Sequence, residues 1–161
     1  MKYTMQEGTL TLPGRAEDRT INIFQISGAG KGESFNIVVN RDVCIPTESI
    51  EAYVARQLKL LGRTLRSMKE VGRRETLIGE PNIPGMEIEV HSTDVATGRV
   101  QYQIQASCKL TDKSVLVFTL TSPSPLSEEL REDWRQFLAS FSPGDAPAEF
   151  PAPSETNSKQ S

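Results

Sequence analysis

Apolar residues recur at every third or fourth position along the middle of the chain, which predicts a long amphipathic helix. The stripe consists of Ile50, Val54, Leu58, Leu61, Leu65 and Met68, and this spacing is the helical period. Pro46 and Glu48 lie just before it, where proline and an acidic side chain both suit the first turn of a helix. We therefore predict a helix that begins near Pro46 and ends at about Met68.

A second apolar stripe near the C-terminal end predicts another helix. Ser124 and Pro125 mark its start, and Glu128 and Glu129 place negative charge in its first turns, where the helix dipole favours it. The apolar members of this stripe are Leu126, Leu130, Trp134, Phe137, Leu138 and Phe141. One side of this helix can therefore cover a sheet.

Shorter segments with alternating or continuous apolar residues predict strands over most of the remaining chain. The segments 20–27 and 34–40 should pair as a hairpin across the glycine-rich connection 28–32. Val115-Leu116-Val117-Phe118 is apolar on both faces, so its strand should be central, with the second helix covering one side. The full set of predicted strands is 9–12, 20–27, 34–40, 71–78, 85–91, 100–108 and 114–121.

The order of these elements predicts the fold class. Strand and helix do not alternate, which argues against a doubly wound parallel sheet. We predict an α+β fold: a single antiparallel β-sheet packed by two amphipathic helices. The 161 residues suffice for one domain, residues 1–142. Residues 143–161 contain four prolines and few large apolar side chains, so we predict a disordered Pro-rich tail there.

Charge and composition exclude several classes of function. The net charge of −3 and the pI of about 5.3 favour no nucleic-acid partner. The N-terminus lacks the apolar run of a signal peptide, and no stretch approaches the 18 apolar residues of a membrane span. We therefore expect a cytoplasmic protein in which Cys44 and Cys108 are reduced thiols.

The glycine-rich segment 28–32 superficially suggests a phosphate-binding loop. Gln25 stands where that motif has its first glycine, Gly32 stands where it has a hydroxyl, and a strand follows instead of a helix. A hairpin loop is the better interpretation.

Catalytic and metal chemistry are poorly supported by the remaining residues. His91 is the single histidine; Ser92 and Asp94 are too near it in sequence to complete a triad, whose members come from separate elements. With Cys44 and Cys108 it is one of three dispersed thiol or imidazole ligands, too few and too scattered for a metal site. We expect no cofactor, no metal and no enzymatic activity.

The predicted long helix has a basic side that continues beyond its end. It lacks the interleaved aromatic residues that stack on bases. A solvated face is the favoured interpretation, and a patch for an acidic protein surface is the alternative. The basic residues are Arg56, Lys59, Arg63, Arg66, Lys69, Arg73 and Arg74.

Neutral amides and isoleucines form a pattern with more functional promise. Gln101, Gln103 and Gln105 alternate with apolar residues, which places them on one face of a strand. That face either meets water or binds a ligand. Ile21 and Ile23 share one face of another strand, and Gln57 flanks the apolar stripe of the long helix. Together such residues suit a hydrophobic helix that also carries small polar side chains.

Four stretches are informative in their order and spacing: Ile21-Asn22-Ile23-Phe24, Asn40-Arg41-Asp42, Tyr53-Val54-Ala55-Arg56-Gln57-Leu58, and Val115-Leu116-Val117-Phe118-Thr119-Leu120-Thr121 followed by a helix that contains tryptophan. Together they resemble the Eag chaperones of bacterial type VI secretion systems, a branch of the DcrB-like fold. The resemblance covers roughly residues 1–142.

This resemblance implies a function and a set of site residues. In that family a homodimer binds the N-terminal transmembrane segments of a secreted effector that bears a PAAR domain, sometimes with an Rhs cage. It shields those segments until the effector is loaded on the secretion spike, without inserting into a membrane itself. The expected effector-binding residues are Ile21, Ile23, Val39, Gln57, and Gln103 or Gln105. The alternative function is a small-ligand or lipid-binding module of the same fold.

Overall fold

The computed structural model describes residues 2–14, 19–27, 34–80 and 82–144. Within these ranges the chain forms strands and two helices. The strands are β1 (Lys2–Met5), β2 (Gly8–Thr11), β3 (Asn22–Ile26), β4 (Phe35–Val43), β5 (Arg66–Ile78), β6 (Ile83–Thr93), β7 (Val100–Lys109) and β8 (Ser114–Ser122), and the helices are α1 (Ile50–Thr64) and α2 (Glu128–Ala139).

The strands form two sheets, so the prediction of an α+β fold with a single sheet is wrong. β1 and β2 make a separate two-stranded sheet, and the other six form an antiparallel sheet in the order β3-β4-β8-β7-β6-β5. Strands make up 49% of the structure, which is therefore mostly β. β1 was not predicted because its four residues carry too short an apolar pattern to distinguish a strand from a loop.

The first helix also ends earlier than its apolar stripe suggested. Leu65 takes an extended conformation with φ −90° and ψ 137°, although its N–H still donates to the Leu61 carbonyl at 2.8 Å. Ser67 follows with a positive φ of 52° and lies in an irregular register of β5. Met68 nevertheless packs on the core beside α1. Its apolar side chain fits the helical spacing but reaches that core from a strand.

The two helices cover opposite faces of the large sheet. We call these the α1 face and the α2 face. The α1 core contains Tyr53, Val54 and Leu58 of the helix against Val115 and Val117 of β8 and apolar residues of β6. Ser49 caps the helix by accepting a hydrogen bond from the Ala52 N–H at 3.1 Å.

The α2 core is built around Trp134, whose side chain is 1% exposed. It packs with Phe118 of β8 and Leu138 of α2, and Phe137 stacks on the Trp134 ring at 5.8 Å. Residues Val115 to Phe118 are all buried and β8 lies between β4 and β7. The prediction of a central strand covered by the second helix is confirmed.

Candidate functional site

Ile23 and the two predicted glutamines of β7 lie on the same face of the large sheet, the α1 face. Ile23 of β3 pairs with Val38 of β4, Val38 pairs with Thr119 of β8, and Thr119 pairs with Gln105 of β7. Directly paired residues in a sheet point to the same side. This register therefore places Ile23 and Gln105 in one row that crosses four strands.

A second row runs parallel to the first on the same face. Gln25 pairs with Asn36, Asn36 with Thr121, and Thr121 with Gln103. Both glutamines of β7 are thus on the face that carries Ile23. The resemblance left Gln103 and Gln105 as alternatives, and the structure places both on this surface.

The two isoleucines are unusually exposed for large apolar side chains. Ile21 is 56% exposed and Ile23 is 69% exposed, while Val38 of the neighbouring strand and the more distant Gln103 and Gln105 are partly buried. Ile21 lies immediately before the first residue of β3, two positions from Ile23 along the chain. We define the open patch as Ile21, Ile23, Val38, Gln57, Gln103 and Gln105. None of these side chains is charged.

Hydrogen bonds hold the two strand glutamines in place. The Gln103 amide donates to the Thr121 hydroxyl at 3.3 Å, and the Gln105 amide donates to the Thr119 hydroxyl at 3.1 Å. Each amide has four hydrogen-bonding positions, so one such bond leaves capacity for a ligand. The threonines therefore orient the amides and leave their other hydrogen-bonding positions open to a ligand.

Gln57 of α1 contacts Asp42 near the end of β4. Its amide nitrogen lies 3.4 Å from the Asp42 carboxylate, which also accepts a 2.6 Å hydrogen bond from the Tyr53 hydroxyl. Burial, and secondly this bond to Asp42, raise the pKa of Tyr53 far above its usual range. Tyr53 therefore stays protonated and acts as a donor.

Val39 lies on the other side of the sheet from the open patch. It pairs with Asn22 and Phe118, and it packs against the α2 core. The neighbouring Val38, which was not among the predicted site residues, pairs with Ile23 instead. A shift of one residue along a strand moves a side chain to the opposite face. The hairpin register was the missing information.

His91 contacts Tyr102 and Glu89, and both cysteines are buried. The His91 ring meets Tyr102 edge-on at 4.7 Å and lies 3.6 Å from the Glu89 carboxylate. The Arg131 guanidinium donates two hydrogen bonds to that carboxylate, at 2.7 and 3.0 Å, and these lower the pKa of Glu89. Cys44 and Cys108 are free thiols, and burial raises the pKa of Cys108 to about 12. The described residues contain no cluster that could hold a metal ion.

The predicted basic side of the long helix is divided between α1 and β5, because the chain becomes a strand at Arg66. Three of its arginines pair with carboxylates: Arg56 with Glu48 at 2.9 Å, Arg73 with Glu70 at 2.8 Å, and Arg74 with Glu87. Such pairing reduces the positive field that an acidic partner would meet.

A cavity of about 410 Å³ lies on the α2 face. Its charged lining is largely compensated, because Arg74 pairs with Glu87, Arg131 with Glu89 and Arg135 with Glu132. The lining residues are Arg74, Ile104, Glu128, Arg131, Trp134 and Arg135.

Two other predictions fall outside the described residues. These are the glycine-rich connection 28–32 and, from residue 145 onward, the tail. Across the part of the chain that is described, neither helix has the length and apolar character needed to cross a membrane.

Comparison with known proteins gives a family and a fold. The model of the DcrB family matches residues 7–140. None of the curated proteins matches the chain. Among solved structures it is similar to PA94 from Pseudomonas aeruginosa, a protein of unknown function that was suggested to be a regulator. The TM-score is 0.70 with 23% sequence identity, over 89% of this chain and 96% of that one. At this identity the similarity shows a shared fold.

Proposed function

The chain belongs to the DcrB family, and we propose that it is a type VI secretion chaperone within that family. It binds and shields the N-terminal transmembrane segments of a PAAR- or Rhs-type effector before the effector is loaded on the secretion spike. It is a binding protein without enzymatic activity. The observation that supports this proposal is the open patch, in which the exposed Ile23 and the neutral Gln103 and Gln105 share one sheet face.

The chemistry of the open patch suits a transmembrane helix removed from its membrane. Ile21, Ile23 and Val38 offer apolar surface to its aliphatic side chains, and burying that surface stabilises the complex by roughly 25 cal/mol per Å². The glutamines offer hydrogen bonds to serine, threonine or exposed backbone groups. Neighbouring helices make such bonds inside a bilayer. An uncharged patch avoids the cost of burying an ion against that helix.

The width of the open patch argues for a homodimer. From β3 to β7 the sheet spans three strand spacings, about 14 Å. An α-helix with its side chains is about 10–12 Å wide, so one patch accommodates one helix. An effector with more than one transmembrane segment needs a second patch, and a twofold dimer supplies it from the same sequence.

Co-expression with an effector region tests this proposal. The chain is expressed with the N-terminal transmembrane region of a PAAR-domain effector encoded in the same genome. We expect a detergent-free complex whose mass by light scattering contains two copies of the chain. If the effector region stays in the membrane or aggregates to the same extent without the chain, the chaperone function is wrong. A complex that contains one copy of the chain would contradict the homodimer but leave the chaperone function standing.

Removing both strand glutamines should weaken effector binding moderately. Each hydrogen bond contributes about 0.5–1.5 kcal/mol net, which is roughly two- to tenfold in affinity. We expect Gln103→Ala to lose that amount singly, and Gln103→Ala with Gln105→Ala to lose more. Isothermal titration against the purified effector region measures this. Gln101→Ala, one step further along the same strand face, is the control. Unchanged affinity in the double variant would show that the two glutamines only face water.

The cavity on the α2 face favours a second candidate, a small-ligand or lipid-binding module. Its volume of about 410 Å³ lies within the range of small-molecule sites. Its compensated charges argue against a strongly anionic ligand. Arg135→Ala changes the cavity wall at an exposed position and leaves the open patch untouched. The test compares the two variants in cells that lack the effector. If Arg135→Ala abolishes a phenotype that the gene produces in those cells and Ile23→Asp leaves that phenotype intact, the small-ligand function is favoured.

A further inference from the structure

Asp42 is an exposed residue of β4 that contacts Gln57 of the open patch and accepts hydrogen bonds from three donors. Strand alternation places it on the same face of β4 as Val38. One carboxylate oxygen accepts from the Tyr53 hydroxyl at 2.6 Å and from the Gln57 amide nitrogen at 3.4 Å. The other accepts from the Val43 N–H at 2.7 Å. Three donors therefore satisfy this carboxylate, even when a bound helix excludes water from it.

The chemistry of Asp42 dictates which end of the Gln57 amide faces it. An ionised carboxylate can only accept hydrogen bonds, and a glutamine amide has donors only on its nitrogen. The nitrogen must therefore point to Asp42. Tyr53 cannot relax this constraint, because its buried hydroxyl stays protonated and already donates to the same oxygen. The carbonyl oxygen of Gln57 receives no hydrogen bond from the described residues.

We propose that Asp42 is a positioning residue that makes Gln57 a hydrogen-bond acceptor toward the bound helix. This inference rests on the proposed function and specifies its guest. The patch should prefer transmembrane helices whose contacting side carries donors, such as serine or threonine hydroxyls, over helices with alanine at the same places. Without Asp42 the Gln57 amide can rotate to present either end, and the preference falls.

Two labelled peptides test this selectivity. One is a 20-residue leucine–alanine helix with serines at every seventh position, and its twin has alanine there. Each is diluted from detergent into the protein, and binding is followed by fluorescence anisotropy. We expect wild-type protein to bind the serine peptide about two- to tenfold more tightly, the range of one hydrogen bond. Asp42→Asn should reduce this ratio toward one and leave the affinity for the alanine peptide unchanged.

Further variants separate positioning from a structural effect. Gln57→Ala should also reduce the ratio, and Asp42→Asn combined with Gln57→Ala should cause no additional loss. A merely destabilised protein would lose affinity for both peptides alike, and a circular-dichroism melt checks that Asp42→Asn is as stable as wild type. If Asp42→Asn keeps the full serine preference, the positioning role is wrong and the chaperone function stands. If wild-type protein binds neither peptide, the positioning role and the chaperone function are both wrong.

Discussion

Replacing Ile21 and Ile23 together by aspartate is expected to abolish effector binding while the domain remains folded. Both side chains are more than half exposed, so the carboxylates stay hydrated in the free protein. In the complex each would have to be buried against an apolar helix without a partner. That desolvation costs several kcal/mol per charge. We therefore expect an affinity loss of more than about 100-fold, measured by titration with the purified effector region.

A matched control separates this loss from the general effect of two added negative charges. Val71 and Leu77 of β5 are also exposed apolar residues, 49% and 59% respectively. They lie on the strand at the opposite edge of the large sheet from β3. Val71→Asp with Leu77→Asp should leave binding within about twofold of wild type. If the Ile21 and Ile23 double variant is folded and still binds its effector, the open patch is not the binding surface.

The parts of this fold that the sequence predicted well are those with strong local signals. The hairpin of β3 and β4, the buried β8 strand and the covering helix α2 carry runs or stripes long enough to show their period. The predicted end of the long helix was wrong, because Leu65 and Met68 continue the helical spacing although the backbone is already extended at Leu65. Apolar spacing reports which side chains reach a core, and here a strand reaches the same core as the helix.

The candidate site was predictable in composition and less so in register. Alternation alone placed Ile21 with Ile23, and Gln103 with Gln105. It could not show that both pairs share a face, because that depends on how β3, β4, β8 and β7 align. The unknown register also explains why Val39 was predicted as a site residue, although Val38 is the one on the face of Ile23. Asp42 belongs to the stretch Asn40-Arg41-Asp42 that carries the family resemblance, but its contact with Tyr53 and Gln57 could not be predicted. That contact depends on α1 crossing the end of β4, which leaves no periodic signal in the sequence.

The largest expected loss of stability follows from Trp134→Ala. Trp134 fills the α2 core, and its indole N–H donates to the buried Glu87 carboxylate at 2.8 Å. Truncation leaves a large cavity and removes that donor, so we expect the free energy of unfolding to fall by about 3–5 kcal/mol. Small domains have only about 5–15 kcal/mol in total.

The free energy of unfolding of Trp134→Phe should lie between those of Trp134→Ala and wild type. Phenylalanine keeps an aromatic ring in the α2 core but cannot donate the hydrogen bond to Glu87. Urea unfolding followed by circular dichroism measures these differences, since Trp134 is the single tryptophan and the variants lack its fluorescence. Arg135→Ala, on the exposed side of α2, is the control and should change stability by less than about 0.5 kcal/mol. A Trp134→Ala protein as stable as wild type would mean that α2 does not anchor the sheet. The open patch lies on the other face, so Trp134→Phe should bind its effector with wild-type affinity at temperatures where it is folded.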